Sequence, residues 1–494
     1  MKMRFQFKDP DDYARLRELL QTAGFMDRKV LETIGVDDLS VIDGNDHPLL
    51  LERTAGDAPL HALIRLFLME APVGADILQN AIRPMPLEAW RHAGLITESG
   101  GAATATIKLI PFKDLVVAFD RPGLLETPLR HQYVMGIGGS TITLANLTIR
   151  HPVRRTLDLG TGCGIHALLA AAHSGRVTAT DINPRAVALA RFNARLNSAA
   201  NLSCLEGDLF DPVGDECFDL IVTNPPFVIS PEQRFIYRDG GMDADGFLRR
   251  IVREAPRHLA PGGFCQVLCN WVQEAGRDWR ARLSEWFAGA GCDVWGMRSE
   301  SLAAPEYAAK WIRHTEFHDS DARFAERFRK WTEYYERNDI ASIGSGLVTM
   351  RKTASGDGWF RAVDGPEKMQ GPAGEDVARG FALADFLEEA ASDESLLEAR
   401  LKYAPDLRLE QQYAPSSDGW QTTASVIQLT RGLTYRGNAD ALVANLIVRC
   451  DGMTPLRTLM QEMAGASGMT VDAIVPNLCP IIRKLIEHGF LLPA

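Results

Sequence analysis

The sequence predicts an α/β fold, in which a sheet layered with helices is flanked at both ends by mainly helical domains. Three observations predict it. Short strand-like runs at residues 155–159, 176–180, 202–205 and 218–223 are separated by helical patterns, the alternation expected of βα units. A Gly-x-Gly-x-Gly turn (Gly160, Gly162, Gly164) joins the first run to a helical stretch of alanine and leucine. Polar residues then follow the later runs, namely Asp181, Asp208 and Asn224, and the carboxyl ends of strands are where open α/β sheets bind ligands.

Ahead of this core, residues 1–120 read as an accessory domain. Helical patterns cover residues 11–20 and 60–69, the second with Leu60, Leu63, Ile64, Phe67 and Leu68 on one face. A third helix is expected over 87–93 and a strand over 104–110, after a turn at Gly100 and Gly101. Helices followed by a short β wing look like a winged helix. Its recognition stretch at 88–93 is poorly basic, which favours protein or peptide contact over DNA. Residues 133–145 form a glycine turn leading into a helix. It reads equally as a cover over a bound ligand or as a linker whose helix is capped by Ser140 or Thr141.

Within the core, the glycines let the backbone bend tightly and let a ligand approach the main chain at a helix N-terminus. Asp181 stands about 20 positions beyond the turn, where nucleotide-binding folds hold a ribose diol. It is also placed to open a helix, with Asn183 and Pro184 following. Asp208 is placed to accept from an adenine amino group or to lie in a solvated turn. The fourth run ends in Asn224-Pro225-Pro226-Phe227. Prolines stiffen this turn and press the preceding residues towards extended conformations. The Asn224 side-chain carbonyl and a neighbouring main-chain carbonyl, that of Pro225, can then face one spot. A planar NH2 group would donate to both, and Phe227 would stack on its π-face.

Asp158-x-Gly160-x-Gly162-x-Gly164, Asp181, Asp208 and Asn-Pro-Pro-Phe together resemble class I S-adenosylmethionine-dependent methyltransferases, over roughly residues 130–353. Within that class the Asn-Pro-Pro-aromatic motif belongs to enzymes acting on amide or exocyclic nitrogens. These are the HemK-type protein-glutamine N5-methyltransferases and the N6-adenine and N2-guanine methyltransferases. The segment 237–251, with Asp239-Gly240-Gly241 and Asp245-Gly246, also resembles HemK-type enzymes; read alone, it is a glycine loop before an Asp-capped helix. The resemblance implies a Rossmann-like seven-stranded core. It also implies S-adenosyl-L-methionine held by Asp158, Gly160, Thr161, Gly162, Gly164, Asp181, Ile182, Asp208, Leu209 and Asn224, with Asn224, Pro225 and Phe227 at the reacting nitrogen. HemK-type enzymes usually end the motif in Tyr where this chain has Phe227, and the flanking regions differ. The resemblance favours a protein or peptide acceptor, with a nucleobase in RNA or DNA as the alternative. The second alternative is a winged-helix binding protein with a vestigial core. No metal is expected.

Residues 121–353 bound the expected core. Its later strands are expected at 264–269, after a Pro261-Gly262-Gly263 turn, at 292–297 and at 346–350. The insertion 303–342 carries Tyr307, Trp311, Phe317, Phe324, Phe328, Trp331, Tyr334 and Tyr335. Aromatics at helical spacing are first read as core, and second as a lid over the substrate. Residues 354–494 begin acidic and less patterned, then show helices at 439–448, 455–463 and 478–487, like a second winged helix.

Composition bounds these readings. The 494 residues predict two or three domains. A hydrophobic content of 46% and a mean hydropathy of −0.11 suit a globular chain without a membrane span. The eight cysteines include no Cys-x-x-Cys pair, and the N-terminus lacks the apolar stretch of a secretory signal. Both fit the cytoplasm. The net charge of −11 disfavours broad non-specific binding of nucleic acid.

Overall fold

The first strand-like run becomes strand β1 (Val153–Leu159), and seven strands join it in one sheet. They are β2 (Ser174–Asp181), β3 (Leu202–Glu206), β4 (Phe218–Thr223), β5 (Leu259–Gln273), β6 (Cys292–Ala303), β7 (Ser342–Lys352) and β8 (Phe360–Asp364). The computed structural model describes residues 5–37, 47–232, 238–239, 242, 244–315, 320–417, 419–467 and 470–494. The chain divides into two compact units, Met1–Leu144 with His151–Val363, and Ala145–Arg150 with Asp364–Ala494.

In the first unit the strand order is β8-β6-β7-β5-β4-β1-β2-β3. Strands β1 to β5 pair in parallel, and β7 runs antiparallel to both β5 and β6. The sheet therefore reverses its winding between β1 and β4, and a crevice opens above their carboxyl ends. Register fixes what stands there. Leu159 lies beside both Thr180 and Thr223, so Gly160, Asp181 and Asn224 leave the sheet at one level. Parallel strands buried on both faces need near-continuous apolar runs. Leu157, Leu159, Phe218, Ile221 and Val267 pack in one cluster, and Val177 and Ala179 pack with Ala167, Val187 and Ala190 in another.

The sequence implied seven strands; the sheet has eight. Strand β8 lies beyond residue 353, in the acidic stretch assigned to the C-terminal domain. It is short and of mixed burial, so no periodicity marks it. It is held at its entry by Val294 N donating to Trp359 O at 2.8 Å, and by Trp359 N donating to Asp293 Oδ1 at 3.2 Å.

The helices that matter for the site are α1 (Gly139–Leu147), α2 (Ile165–Ala171), α3 (Pro184–Leu196), α4 (Gly246–Glu254), α5 (Ala304–Thr315) and α6 (Asp321–Arg337). Between β6 and β7, α5 and α6 form the aromatic insertion. Tyr307, Trp331, Tyr334 and Tyr335 are buried with Val228 and Ile229 in one cluster. For those four aromatics the core reading holds. Phe317 lies outside the described residues.

The N-terminal part of this unit contains helices Asp12–Thr22, Pro59–Leu63 (continued by a π-helical turn, Ile64–Leu68), Ala75–Ala81 and Leu87–His92. A three-stranded sheet of order Val73–Gly74, Ala102–Ala105, Ile96–Ser99 follows. The single strand expected over 104–110 is two, Ala102–Ala105 and Ile107–Phe112. They break at Thr106, whose N–H and hydroxyl donate to Leu95 O and Gly94 O instead of continuing a ladder. Ile107–Phe112 pairs with Leu115–Asp120.

Strand Leu115–Asp120 lies along α3 through polar side chains on one helical stripe. Asn197 Oδ1 accepts from Val116 N at 2.9 Å and its Nδ2 donates to Val116 O at 2.8 Å. Asn193 does the same to Ala118, both at 2.8 Å. Arg185 closes the series with a buried pair to Asp120 at 2.5 Å. Four residues of helix rise about 6 Å and two residues of strand about 6.6 Å, so the Asn197 and Asn193 partners stay in step, while the long Arg185 side chain reaches Asp120 from two turns further along the helix.

In the second unit, helices Ala441–Arg449, Leu456–Ser467 and Val471–Glu487 overlap the three predicted ones. The last starts earlier and runs through Pro476 and Pro480. Helix Gly374–Glu389 and the hairpin Leu407–Ser416/Gly419–Leu429 were not predicted. The hairpin is largely exposed, so it lacks the alternation that marks a half-buried strand.

Candidate active site

At the end of β1, Gly160, Gly162 and Gly164 adopt φ values of +69°, +56° and +87°, a left-handed region costly for any side chain. A Cβ added at Gly160 or Gly162 would meet nothing within 4 Å. One at Gly164 would lie 3.1 Å from Ala190 Cβ and 3.2 Å from its Cα. The first two glycines thus open onto free space, and the third lets α3 lie close against the turn.

Asp158, placed by resemblance among the cofactor-binding residues, faces inward. It is 1% exposed, and its Oδ2 accepts from Thr161 Oγ1 and from Ala167 N at 2.9 Å. Burial raises its pKa to about 7, against the lowering effect of those two donors. Asp158 and the Thr161 hydroxyl therefore shape the turn from behind. Their side chains do not line the crevice.

Asp181, at the end of β2, accepts from Gly162 N through Oδ2 and from Asn183 N through Oδ1, each at 2.8 Å. Burial pushes its carboxyl above the usual range, and the two N–H groups pull it back. Helix α3 is capped by Asn183, whose side chain accepts from Arg185 N at 3.0 Å, which leaves Asp181 with the glycine turn. Ile182 beside it is 56% exposed, an apolar side chain presented at the strand ends. Past β3, Leu209 has a φ of +43°, and Asp208 pairs with Arg250 of α4 at 2.8 Å. Both partners are about a third exposed (37% and 34%), so the pair adds little stability. Arg250 was not among the predicted site residues.

Asn224 ends β4. Its Nδ2 donates to Ser140 Oγ at 3.2 Å, while its Oδ1 is buried without a hydrogen-bond partner among the described residues. Pro225 is buried and Phe227 half-buried. Phe227 meets Trp311 of α5 edge to face at 6.0 Å. The chain beyond it is clamped by the insertion. Tyr307 Oη accepts from Ile229 N at 3.2 Å and from Asn270 Nδ2 at 2.8 Å, and Tyr335 Oη donates to Ile229 O at 2.8 Å. Sequence reasoning saw these aromatics without seeing that they brace this loop.

Of the segment 237–251, Tyr237, Gly240, Gly241 and Asp243 lie outside the described residues. Asp245 occupies the N-cap position of α4 but makes no side-chain cap. Its carboxylate accepts from Val272 N at 3.1 Å and pairs with Arg282 at 2.8 Å, tying the helix to β5.

The described residues thus bring the glycine turn, Asp181, Ile182 and Asn224 to the carboxyl ends of neighbouring parallel strands, whereas Leu209 is buried in the core cluster beside β4. Residues 138–288 match the methyltransferase small domain. This part of the chain is thus similar to methyltransferases, and the parallel strands with their glycine turn agree with that likeness. Two domains of unknown function match on either side, DUF7059 over residues 22–106 and DUF7782 over residues 378–493.

Similar proteins include a ribosomal protein uL3 glutamine methyltransferase of Bradyrhizobium diazoefficiens, 41% identical over 140 residues, covering 25% of this chain and 44% of that protein. A release factor glutamine methyltransferase of Geobacter sulfurreducens is 40% identical over 124 residues, covering 22% and 43%. A second uL3 glutamine methyltransferase, from Xanthomonas campestris, is 32% identical over 194 residues, covering 36% and 54%. The chain spans about half the length of these relatives. Among solved structures, that of the YcgJ protein from Bacillus subtilis aligns with 43% of this chain and 97% of its own at 13% identity and a TM-score of 0.30.

Proposed function

We propose that the chain is an S-adenosylmethionine-dependent N-methyltransferase acting on the side-chain amide of a protein glutamine. One observation carries the reading. The Asn224 Oδ1 is a buried acceptor with no partner among the described residues, at the carboxyl end of β4 beside a glycine turn that opens onto free space. Buried acceptors are normally paired, so an unpaired one at a switch point is what a donor-rich ligand would complete.

When bound, S-adenosylmethionine supplies a methyl group already activated by its sulfonium. The open glycines and the exposed Ile182 fit such a group, with Asp181 keeping the Gly162 amide in place. The chain's own task is orientation. Asn224 Oδ1 accepts one N–H of the acceptor amide and the Pro225 carbonyl accepts the other. Two acceptors on one NH2 favour pyramidal nitrogen, and they stabilise the positive charge that develops there. Phe227, held edge-on by Trp311, presents its ring to the amide plane. The names of the relatives support glutamine as the acceptor. All eight cysteines are free, which suits a cytoplasmic setting.

The test is incubation of the protein with tritiated methyl donor and a lysate from cells lacking it, followed by hydrolysis of each fraction. Label recovered from protein as N5-methylglutamine is the expected result. Label confined to nucleic acid would replace this reading with nucleobase methylation. Cofactor binding without any transfer would point to a binding protein.

A further inference from the structure

A side-chain amide is nearly symmetric in shape, so something must decide whether Asn224 shows the crevice its oxygen or its NH2. The wrong orientation would set donor against donor at the acceptor nitrogen. Among the described residues one side chain is bonded to this amide: Ser140 Oγ, 3.2 Å from Nδ2. We propose that Ser140 is a positioning residue for the acceptor clamp. Its hydroxyl oxygen accepts from Asn224 Nδ2 and so turns Oδ1 to the substrate. The inference rests on the methyl-transfer reading of the site.

Ser140 suits this task because its backbone is fixed. It stands in the first turn of α1, where Ile142 N donates to Gly138 O at 3.0 Å and Gly138 N to Thr141 Oγ1 at 3.4 Å. Upstream, Asn183 Nδ2 donates to Gln132 O at 2.9 Å. Asp120 N donates to Val134 O at 3.2 Å, and Val134 N donates back to Asp120 Oδ2 at 2.9 Å. Gly136 lies so close to Phe119 that a Cβ there would come within 2.2 Å of the ring. The strand that receives these contacts is itself held along α3 by Asn193, Asn197 and Arg185. A side chain placed by so many fixed points can orient its partner to within the small error that transfer tolerates. Thr141, the other cap considered from sequence, serves the turn instead.

The experiment combines exchange and kinetics. Protein labelled with 15N-asparagine gives a side-chain amide signal for Asn224, identified by its loss in Asn224→Ala. Its hydrogen exchange is compared in wild type, Ser140→Ala, Ser140→Gly and Ser140→Thr, alongside cofactor Kd, kcat and acceptor KM. The expected result is exchange faster by about 10-fold or more in Ser140→Ala and Ser140→Gly. With it, kcat should fall roughly 10- to 100-fold at unchanged cofactor Kd. Ser140→Thr, which keeps the hydroxyl, should restore both. Unchanged exchange in the Ala and Gly variants would overturn the proposal whatever the activity, and so would faster exchange at wild-type kcat. A wild type that binds cofactor and methylates no nitrogen would instead bring down the reading of the site, and this inference with it.

Discussion

Asp158 is a buried carboxyl behind the glycine turn. Its carboxyl titrates near 7 because it is buried, while the unfolded chain ionises it near 3.8. The folded state therefore holds the extra proton between those values, and stability falls as pH rises through that window. Asp158→Asn keeps an oxygen acceptor and removes the titration. Its melting temperature should gain on wild type from pH 5 to pH 8, and parallel curves would refute the assignment. Asp181 braces the turn directly, through Gly162 N and Asn183 N. Removing its carboxylate strands the Gly162 and Asn183 amides, so Asp181→Ala should weaken cofactor binding by calorimetry at least 10-fold, a loss of about 1.4 kcal/mol; unchanged affinity would contradict its role. The acidic residues and glycines of this site were legible because their spacing follows from strand ends and turns. The inward aim of Asp158 and Thr161 was not, since spacing does not say which way a side chain turns.

Elements carry the second layer. Helix α3 is at once the wall behind the glycine turn and the dock for strand Leu115–Asp120. Gly164→Ala would press a Cβ against Ala190 in a left-handed backbone, and should cost about 1–3 kcal/mol by denaturant unfolding. Asn193 bonds both main-chain groups of Ala118 and also donates to Cys163 O at 2.8 Å. Asn193→Ala leaves these buried groups unpaired and should cost about 2–4 kcal/mol. Asn197→Ala should couple to it in a double-mutant cycle, because the two hold one strand. The parallel strands and the α3 cap were visible in the sequence as apolar runs and an Asn-Pro pair. The strand break at Thr106 was not, because its hydroxyl and N–H choose partners in the preceding turn, and strand β8 was not, because its partners Asp293 and Val294 lie far away in the chain.

Across the whole chain, the division of labour was partly legible. Motifs marked the part that matches the methyltransferase small domain, since its glycine turn and strand ends recur at regular intervals. The unit Ala145–Arg150 with Asp364–Ala494 offered only helical periodicity, and its exposed hairpin left no trace in the pattern. No helix among the described residues is long and apolar enough to cross a membrane. Within the first unit the N-terminal strand, α3, the glycine turn and the motif loop form one bonded series ending at Ser140 and Asn224. In the proposed clamp, Asn224 Oδ1 receives the acceptor N–H. The most direct measurement is single-turnover methyl transfer to the labelled protein fraction by wild type and Asn224→Ala, with cofactor Kd measured on both. Transfer should be slowed about 100- to 1000-fold in the variant at a Kd within a few-fold of wild type. Transfer at the wild-type rate in Asn224→Ala would contradict it.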